Sequence, residues 1–463
     1  MHKRGRDWNG IKVLVIGAAR QGIALARYLV LRGAQVILND QRSLEQLADA
    51  RLALANLPVT WACGGHPLEL LDGVDLVCPS GGIPLTLPLV VEAQRRGIPL
   101  SNDTQIFLDA CPCLTIGITG SAGKTTTTSL VGRIVAQALG AEHTWVGGNI
   151  GSPLLAVVDQ MHPGDLAILE LSSFQLEILT SSVSIAAVLN ITPNHLDRHG
   201  TMQAYRRAKG QIVSLQTPAG CVILGRDDPG AWSLAPDAPG AVHSFGLQRP
   251  PAGEIGSFVE DGQVCIWDGQ AAHPVLPVNR IPLRGDHNVQ NVLAACAIAS
   301  AAGVPIEAMR AAIESFEGVP HRLELVRNWH GAAWYNDSKA TSPQEAMAGI
   351  RSFCEPIVLL AGGRDKKLPW DEFARLVHHR VDHLVLFGEA ADLISRAIGP
   401  LPVSGRPYTL ERCTTLFDAI QAAARVAEAG DVVLLSPGGT SFDEFRDFEA
   451  RGEAYRQWVL ELT

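Results

Sequence analysis

Residues able to do chemistry concentrate in one stretch, Gly117-Ile118-Thr119-Gly120-Ser121-Ala122-Gly123-Lys124-Thr125. Glycines let backbone N–H groups turn inward on an anion, a lysine supplies a full positive charge, and a threonine hydroxyl can meet a magnesium ion. Gly120, Ser121, Ala122, Gly123, Lys124, Thr125 and Thr126 are therefore the expected nucleotide-binding residues, with Lys124 on the β- and γ-phosphates and Thr125 on the metal. The spacing is tighter than the common phosphate loop, which puts four residues between its first Gly and the Gly-Lys pair. A second group of interest is Glu170, which closes the apolar run 166–170. A carboxylate at the end of a buried strand needs a cation or a donor, so Glu170 is either a magnesium ligand or a cap on the next helix.

The elements that must position these groups can be read around them. Residues 114–118 form an apolar run that predicts a buried parallel strand, and a helix opens at Thr125. Further strands are expected at 166–170 and 185–189, the latter leading into Asn190 and on through Asn194-His195-Leu196-Asp197-Arg198-His199. In an open α/β sheet the carboxyl ends of such strands meet at one crevice. Between the first two lies the Gly-rich 146–151, where Asn149 is placed to reach a substrate carboxylate or a phosphate. A helix from about 202 carries Lys209, which by its own pattern reads as a solvated helix lysine. The Pro- and Gly-rich stretch 217–284 reads as a small antiparallel elaboration without chemistry, and an Ala-rich helix from Asp286 puts Asn288 and Asn291 on one face.

On either side of this centre the chain alternates strand and helix again. Strands at 11–16 and 35–38 flank a helix at 22–31, a mononucleotide-binding βαβ. Its first turn, Gly17-Ala18-Ala19-Arg20-Gln21-Gly22, lacks the middle glycine of a dinucleotide fingerprint, while Asp40 lies where a ribose hydroxyl would be met. Alone, this unit would suit a nicotinamide-dependent dehydrogenase. A second loop, Cys78-Pro79-Ser80-Gly81-Gly82-Ile83-Pro84, follows another short strand. Toward the C-terminus, strands ending at Asp337, at Gly362-Gly363-Arg364-Asp365-Lys366-Lys367 and at Ser436 predict a further doubly wound sheet, and Ser342-Pro343 marks a helix start. The expected fold is thus α/β in three domains: residues 1–102 Rossmann-like, 103–318 a phosphate-loop sheet, 319–463 Rossmann-like again.

A chain of 463 residues is too long for one core. A hydrophobic content of 47%, charged content of 18% and net charge of −9 describe a packed protein with no general attraction to nucleic acid. The nine cysteines read as small core residues of a reducing compartment. The N-terminus is basic, but the apolar run behind it is too short for a signal peptide, and no run of eighteen apolar residues appears, so a cytoplasmic protein without a membrane span is expected.

The tight phosphate loop, the 78–84 loop with Gly81 in place of a proline, the Asn194-His195-Leu196-Asp197-Arg198 stretch and the segment Asn336-Asp337-Ser338-Lys339-Ala340-Thr341 together resemble the Mur ligase superfamily over essentially the whole chain. That resemblance implies ATP-driven amide formation through an acyl phosphate, with two magnesium ions that manganese can replace. It implies that Lys209 is carbamylated and, with His195, Thr125 and Glu170, serves the metals. Catalysis would rest on Lys124, Glu170, His195, Lys209 and Lys339, while Asn291, Arg322 and Asp337 would join the phosphate loop around ATP. The nucleotide-sugar diphosphate would lie on Gly17, Ala18, Ala19, Arg20, Asp40, Ser80 and Gly81, with Asn149 nearby. The 336–341 segment is similar to that of members adding D-glutamate to UDP-N-acetylmuramoyl-L-alanine, and implies an amino-acid site at Thr341, Lys367, Ser441, Phe442 and Phe448, with Lys366 the alternative to Lys367. Partners would be these small molecules alone, the protein a cytoplasmic monomer serving peptidoglycan synthesis and, through it, cell shape and division. A folylpolyglutamate-type ligase, a nicotinamide dehydrogenase and a non-catalytic nucleotide sensor are the competing readings.

Overall fold

The structure, a computed structural model, describes residues 6–463; the basic residues 1–5 lie outside it. The chain divides into two compact units, one running up to Arg280 and taking in Val289–Ser315, the other comprising Ile281–Asn288 and Phe316–Thr463.

The first unit holds two sheets. In the N-terminal one, β1 (Lys12–Ile16), β2 (Gln35–Asp40), β3 (Val59–Cys63) and β4 (Leu76–Pro79) are all parallel in the order β3-β2-β1-β4. Val13, Leu14, Val15 and Ile16 are all fully buried, so both faces must be covered. Leu25 and Leu29 of the helix Arg20–Val30 pack on one face with Val13 and Val15, and Leu89 and Val90 of the helix Pro88–Arg95 pack on the other with Leu14 and Ile16. The strand order reverses at β1, which opens a crevice over the Gly17 turn.

The second sheet has nine strands: β5 (Leu114–Thr119), β6 (Thr144–Gly148), β7 (Leu166–Glu170), β8 (Ile185–Val188), β9 (Cys221–Gly225), β10 (Ala241–Phe245), β11 (Ile255–Glu260), β12 (Gln263–Trp267) and β13 (Ala272–Pro277). Their order is β13-β12-β11-β10-β9-β8-β5-β7-β6, so β5, with β7 on one side and β8 on the other, ends at a reversal point. This corrects the expectation for 217–284. β9, β10 and β11 continue the sheet in parallel, and only β12 and β13 are antiparallel. The Asp261-Gly262 turn does close a hairpin, with φ of 49° and 72° as a type I′ turn requires.

The second unit carries β14 (Glu324–Trp329), β15 (Ala332–Asn336), β16 (Ile357–Gly362), β17 (His383–Phe387), β18 (Thr409–Arg412) and β19 (Val432–Gly438), ordered β14-β15-β19-β16-β17-β18. β14 is an antiparallel edge and the other neighbours are parallel. Alternation along the strands sends Leu359 and Leu434 to one face and Val358, Leu360, Val433 and Leu435 to the other, each under its own helices. The carboxyl ends of β15, β19 and β16 are adjacent, so the polar loops that follow them gather at one edge.

Candidate functional site

β5 delivers the phosphate loop and the helix Lys124–Leu139 receives it. Gly123 is left-handed (φ 81°), and a Cβ there would overlap Asn291 Oδ1, so glycine is required on both counts. Thr127 Oγ1 donates to the same Asn291 oxygen at 3.4 Å. Lys124 Nζ curls back to Gly120 O at 2.9 Å and Ser121 O at 3.3 Å. The strand end of β8 clasps the loop from outside. Asn190 Oδ1 accepts the Ala122 N–H (2.8 Å), its Nδ2 donates to Ala122 O (3.1 Å), and its carbonyl takes the Ser121 N–H (2.9 Å). Ser121 Oγ donates to Thr192 O at 2.9 Å and lies 3.1 Å from the Tyr205 hydroxyl. Thr125 and Thr126 begin the helix behind it, with Thr126 buried.

Lys209 lies in this same place, in the helix Met202–Ser214, and is not a solvated lysine: its relative exposure is 1%. Nζ donates to Gly120 O at 2.8 Å and to Thr119 Oγ1 at 3.3 Å, and stands 4.8 Å from the Tyr205 ring centre. Burial first, and the neighbouring Lys124 charge second, hold its pKa well below the ordinary lysine range, with Glu170 opposing. Glu170, at the end of β7, is buried; Oε1 accepts from Asn149 Nδ2 at 3.0 Å, while Oε2 is buried with no hydrogen-bond partner. The helix-cap reading of Glu170 is overturned, because Ser172 caps the next helix through a capping box with Gln175. An orphaned carboxylate oxygen beside the phosphate loop fits a divalent cation. Among the described residues no three His, Cys, Asp or Glu side chains converge as a ready-made metal cluster. His195 starts the short helix Leu196–His199 in a left-handed conformation (φ 53°), exposed, its ring 5.4 Å from Phe174 and 6.5 Å from Tyr205.

Around the N-terminal turn, Gly17 is left-handed (φ 101°), Ala18 N–H donates to Asp40 Oδ2 at 2.8 Å, and Ser80 Oγ donates to Gly17 O at 3.1 Å. Ala19 and Arg20 are exposed at the helix start, and Gly81 passes close to Gln21. Asp40 is not free to meet a ribose alone: Arg42 grips it through Nε to Oδ1 (3.0 Å) and Nη2 to Oδ2 (2.9 Å). Burial would raise its carboxyl, but these bonds and two backbone N–H groups outweigh that and hold it at about 2. Gly17, Asp40, Gln41, Arg42, Gln46, His66 and Ile83 line a cavity of about 470 Å³.

In the second unit, Asp337 follows β15 and is almost wholly buried. It accepts from Ser436 Oγ at 2.8 Å and from Leu323 N–H at 3.3 Å. Burial pushes its carboxyl up to about 7 despite the Arg322 charge, whose Nε is itself buried without a hydrogen-bond partner. Lys339 Nζ lies 5.7 Å from the Phe448 ring centre. Thr341 Oγ1 accepts from Lys366 Nζ at 2.9 Å, whereas Lys367 occupies a left-handed turn (φ 59°), which favours Lys366 over Lys367 as the cation beside Thr341. Ser441 is buried and Phe442 is 60% exposed.

Three family models cover most of the sequence: a Mur ligase MurD-like N-terminal domain at 11–102, a Mur ligase middle domain at 118–299 and a Mur ligase glutamate ligase domain at 321–439. The chain belongs to the Mur ligase family. It is 42% identical over 452 residues to the UDP-N-acetylmuramoylalanine--D-glutamate ligase of Symbiobacterium thermophilum, covering 98% of each, and 40% identical over 458 residues to that of Acidobacterium capsulatum, covering 98% of this chain and 97% of the relative. The UDP-N-acetylmuramate-alanine ligase of Thermotoga maritima shares the fold with a TM-score of 0.58 at 17% identity, over 97% of this chain and 99% of that one.

Several residues of this Mur ligase's site were not anticipated from its sequence. Asn190 holds the phosphate loop, and Arg42 neutralises Asp40. Arg451, fully buried, donates from Nε to Ser338 Oγ (3.0 Å) and from Nη2 to Ser338 O (2.8 Å) and Gly439 O (3.1 Å), so it ties the loop after β15 to the loop after β19. His199 is buried beside Phe174 and Tyr205, with Nε2 2.9 Å from Ser173 Oγ and Nδ1 3.1 Å from Glu177. Burial leads in lowering its pKa, with the Glu177 charge opposing.

Proposed function

We propose that this Mur ligase joins D-glutamate to UDP-N-acetylmuramoyl-L-alanine, driven by conversion of ATP to ADP and phosphate, as a step of peptidoglycan precursor synthesis that serves cell shape and division. The observation that carries the reading is the 42% identity, along 98% of both chains, to a ligase of that name. We further propose that it acts in the cytoplasm as a monomer, with domains divided at 102/103 and 318/319. No helix among the described residues is long and apolar enough to cross a membrane.

Lys124, the loop N–H groups and the helix N-terminus would neutralise the γ-phosphate while the muramoyl-alanine carboxylate is held in line, giving an acyl phosphate and ADP. Burial disfavours the charged form of Lys209, whose free amine would add through its lone pair to carbon dioxide, its proton leaving to solvent and a carbamate anion remaining. That anion, Glu170 Oε2, Thr125 and His195 would hold magnesium, two ions in our reading with manganese able to substitute. Magnesium would supply charge neutralisation at the phosphoryl oxygens. On the second unit, Lys366, Thr341 and Ser441 would bind the D-glutamate carboxylates, Phe448 would pack behind them, and Lys367 and Phe442 would stand outside. The amine of D-glutamate then attacks the acyl carbon and phosphate leaves. Lys339, Arg322, Asp337 and Asn291 belong to the nucleotide's surroundings in this reading.

The cavity of about 470 Å³ over the N-terminal turn favours a nucleotide-sugar substrate over a folylpolyglutamate-type one. Asp40, committed to Arg42, disfavours a nicotinamide ribose. Phosphate release from ATP, measured with UDP-N-acetylmuramoyl-L-alanine and a panel of amino acids of both hands, tests the proposal. Turnover with D-glutamate alone is expected; equal turnover without the acid acceptor, or with an L-amino acid in its place, refutes it.

A further inference from the structure

Between the helix Asp103–Ala110 and β5 the chain reads Cys111-Pro112-Cys113, and the two sulfurs lie 3.4 Å apart, both partly exposed. The remaining cysteines are spread over the fold, with Cys78, Cys265 and Cys296 buried and Cys354 exposed. A disulfide needs its sulfurs about 2.0 Å apart. The pair therefore has about 1.4 Å to close, on a segment whose first residue is already extended, with Cys111 at φ −66° and ψ 124°. Cys111 Sγ also approaches Cys113 O at 3.8 Å, so both of its contacts point to the same partner residue.

We infer that Cys111 and Cys113 are a reversible dithiol/disulfide site that exchanges with small-molecule disulfides of the glutathione type. One thiolate of the pair attacks one sulfur of the disulfide RS–SR, forms a mixed disulfide and expels RS⁻, which takes up the proton that thiol gave to solvent. The second thiol then loses its proton, attacks the protein sulfur of the mixed disulfide and expels the second RS⁻. The two protein thiols are oxidised by two electrons, the bond between the sulfurs forms, and RS–SR is reduced to two RSH. Nothing in this inference depends on the ligase reading, because the thiols lie at the opposite end of β5 from the phosphate loop.

The test uses the full chain equilibrated over graded ratios of oxidised to reduced glutathione, quenched by alkylation and read by peptide mass. The expected result is a 111–113 peptide that becomes two hydrogens lighter and carries no glutathione, while Cys354 takes up glutathione at the same ratios. In Cys113→Ser the glutathione adduct is expected to be trapped on Cys111, and in Cys111→Ser on Cys113. A 111–113 peptide that stays fully reduced, or that carries glutathione without closing, where Cys354 is modified overturns the inference. Far-ultraviolet circular dichroism of both variants confirms that a negative result is not one of misfolding.

Discussion

Asp337 is a buried carboxyl at an edge proposed to bind a nucleotide, and it makes the stability of the second unit depend on pH in a calculable way. Its pKa in the folded chain is about 7 against an ordinary value of 3.8, burial being the chief cause. Because the folded value lies above the unfolded one, the unfolded chain gives up this proton first, and stability falls as pH rises through that window. At about 1.36 kcal/mol for each tenfold difference in proton affinity, the whole effect is roughly 4 kcal/mol, of which about 2 to 3 kcal/mol falls between pH 5 and pH 8. Asp337→Asn removes the charge and can keep both contacts: its carbonyl accepts from the Leu323 N–H and its amide donates to Ser436 Oγ. Relative to the parent, the variant should gain about 2 to 3 kcal/mol on going from pH 5 to pH 8, while losing ligase activity. His287 and His321, both lowered by burial, titrate in the parent and the variant alike, so the difference between the two isolates Asp337. Urea unfolding at the two pH values, read by pulsed hydrogen exchange on peptides of β15 and β19, reports on this unit alone. Parallel pH profiles for parent and variant would refute the assignment of a raised, buried carboxyl.

Other substitutions separate the parts of the site. Lys124→Ala should abolish phosphate release and leave affinity for the UDP substrate within about twofold by calorimetry, since the two sites sit on different sheets. Lys209→Ala should lose nearly all activity and recover part of it in added formate or acetate; no recovery would count against a carbamate there. Lys366→Ala should raise the KM for D-glutamate by about tenfold or more with ATP binding unchanged, and Lys367→Ala should not; the reverse order would restore the expectation drawn from the sequence. Arg451→Met should cost about 3 kcal/mol in the second unit's stability, because the buried carbonyls of Ser338 and Gly439 lose their donor, measured by the same exchange method.

How much of this was legible beforehand depends on whether the signal was local. β5, β7 and β8 could be placed because apolar runs of five or six residues end at glycine, acid or asparagine, and the phosphate loop because its glycines and lysine are contiguous. The parallel continuation through β9 to β11 was hidden, because strand direction depends on the crossovers between strands, here including a helix of only four residues, Pro229–Trp232, inside a Pro- and Gly-rich stretch. By its own pattern Lys209 read as solvated because its charge outweighed its position, while the family resemblance already placed it in the site. Tyr205, Ala208, Ile212 and Val213 are the buried face of its helix, and Lys209 falls among them at helical spacing, so periodicity alone assigns it to the interior. Arg451 follows the same rule, sharing a buried stripe with Tyr455 and Val459. A cation on an apolar stripe is either an error of folding or a group held for its chemistry or its hydrogen bonds. In this chain both are of the second kind, one an amine held at the phosphate loop and the other a clamp between two loops. The choice between Lys366 and Lys367 had no such signal, because it turns on a single left-handed residue that no neighbouring side chain announces.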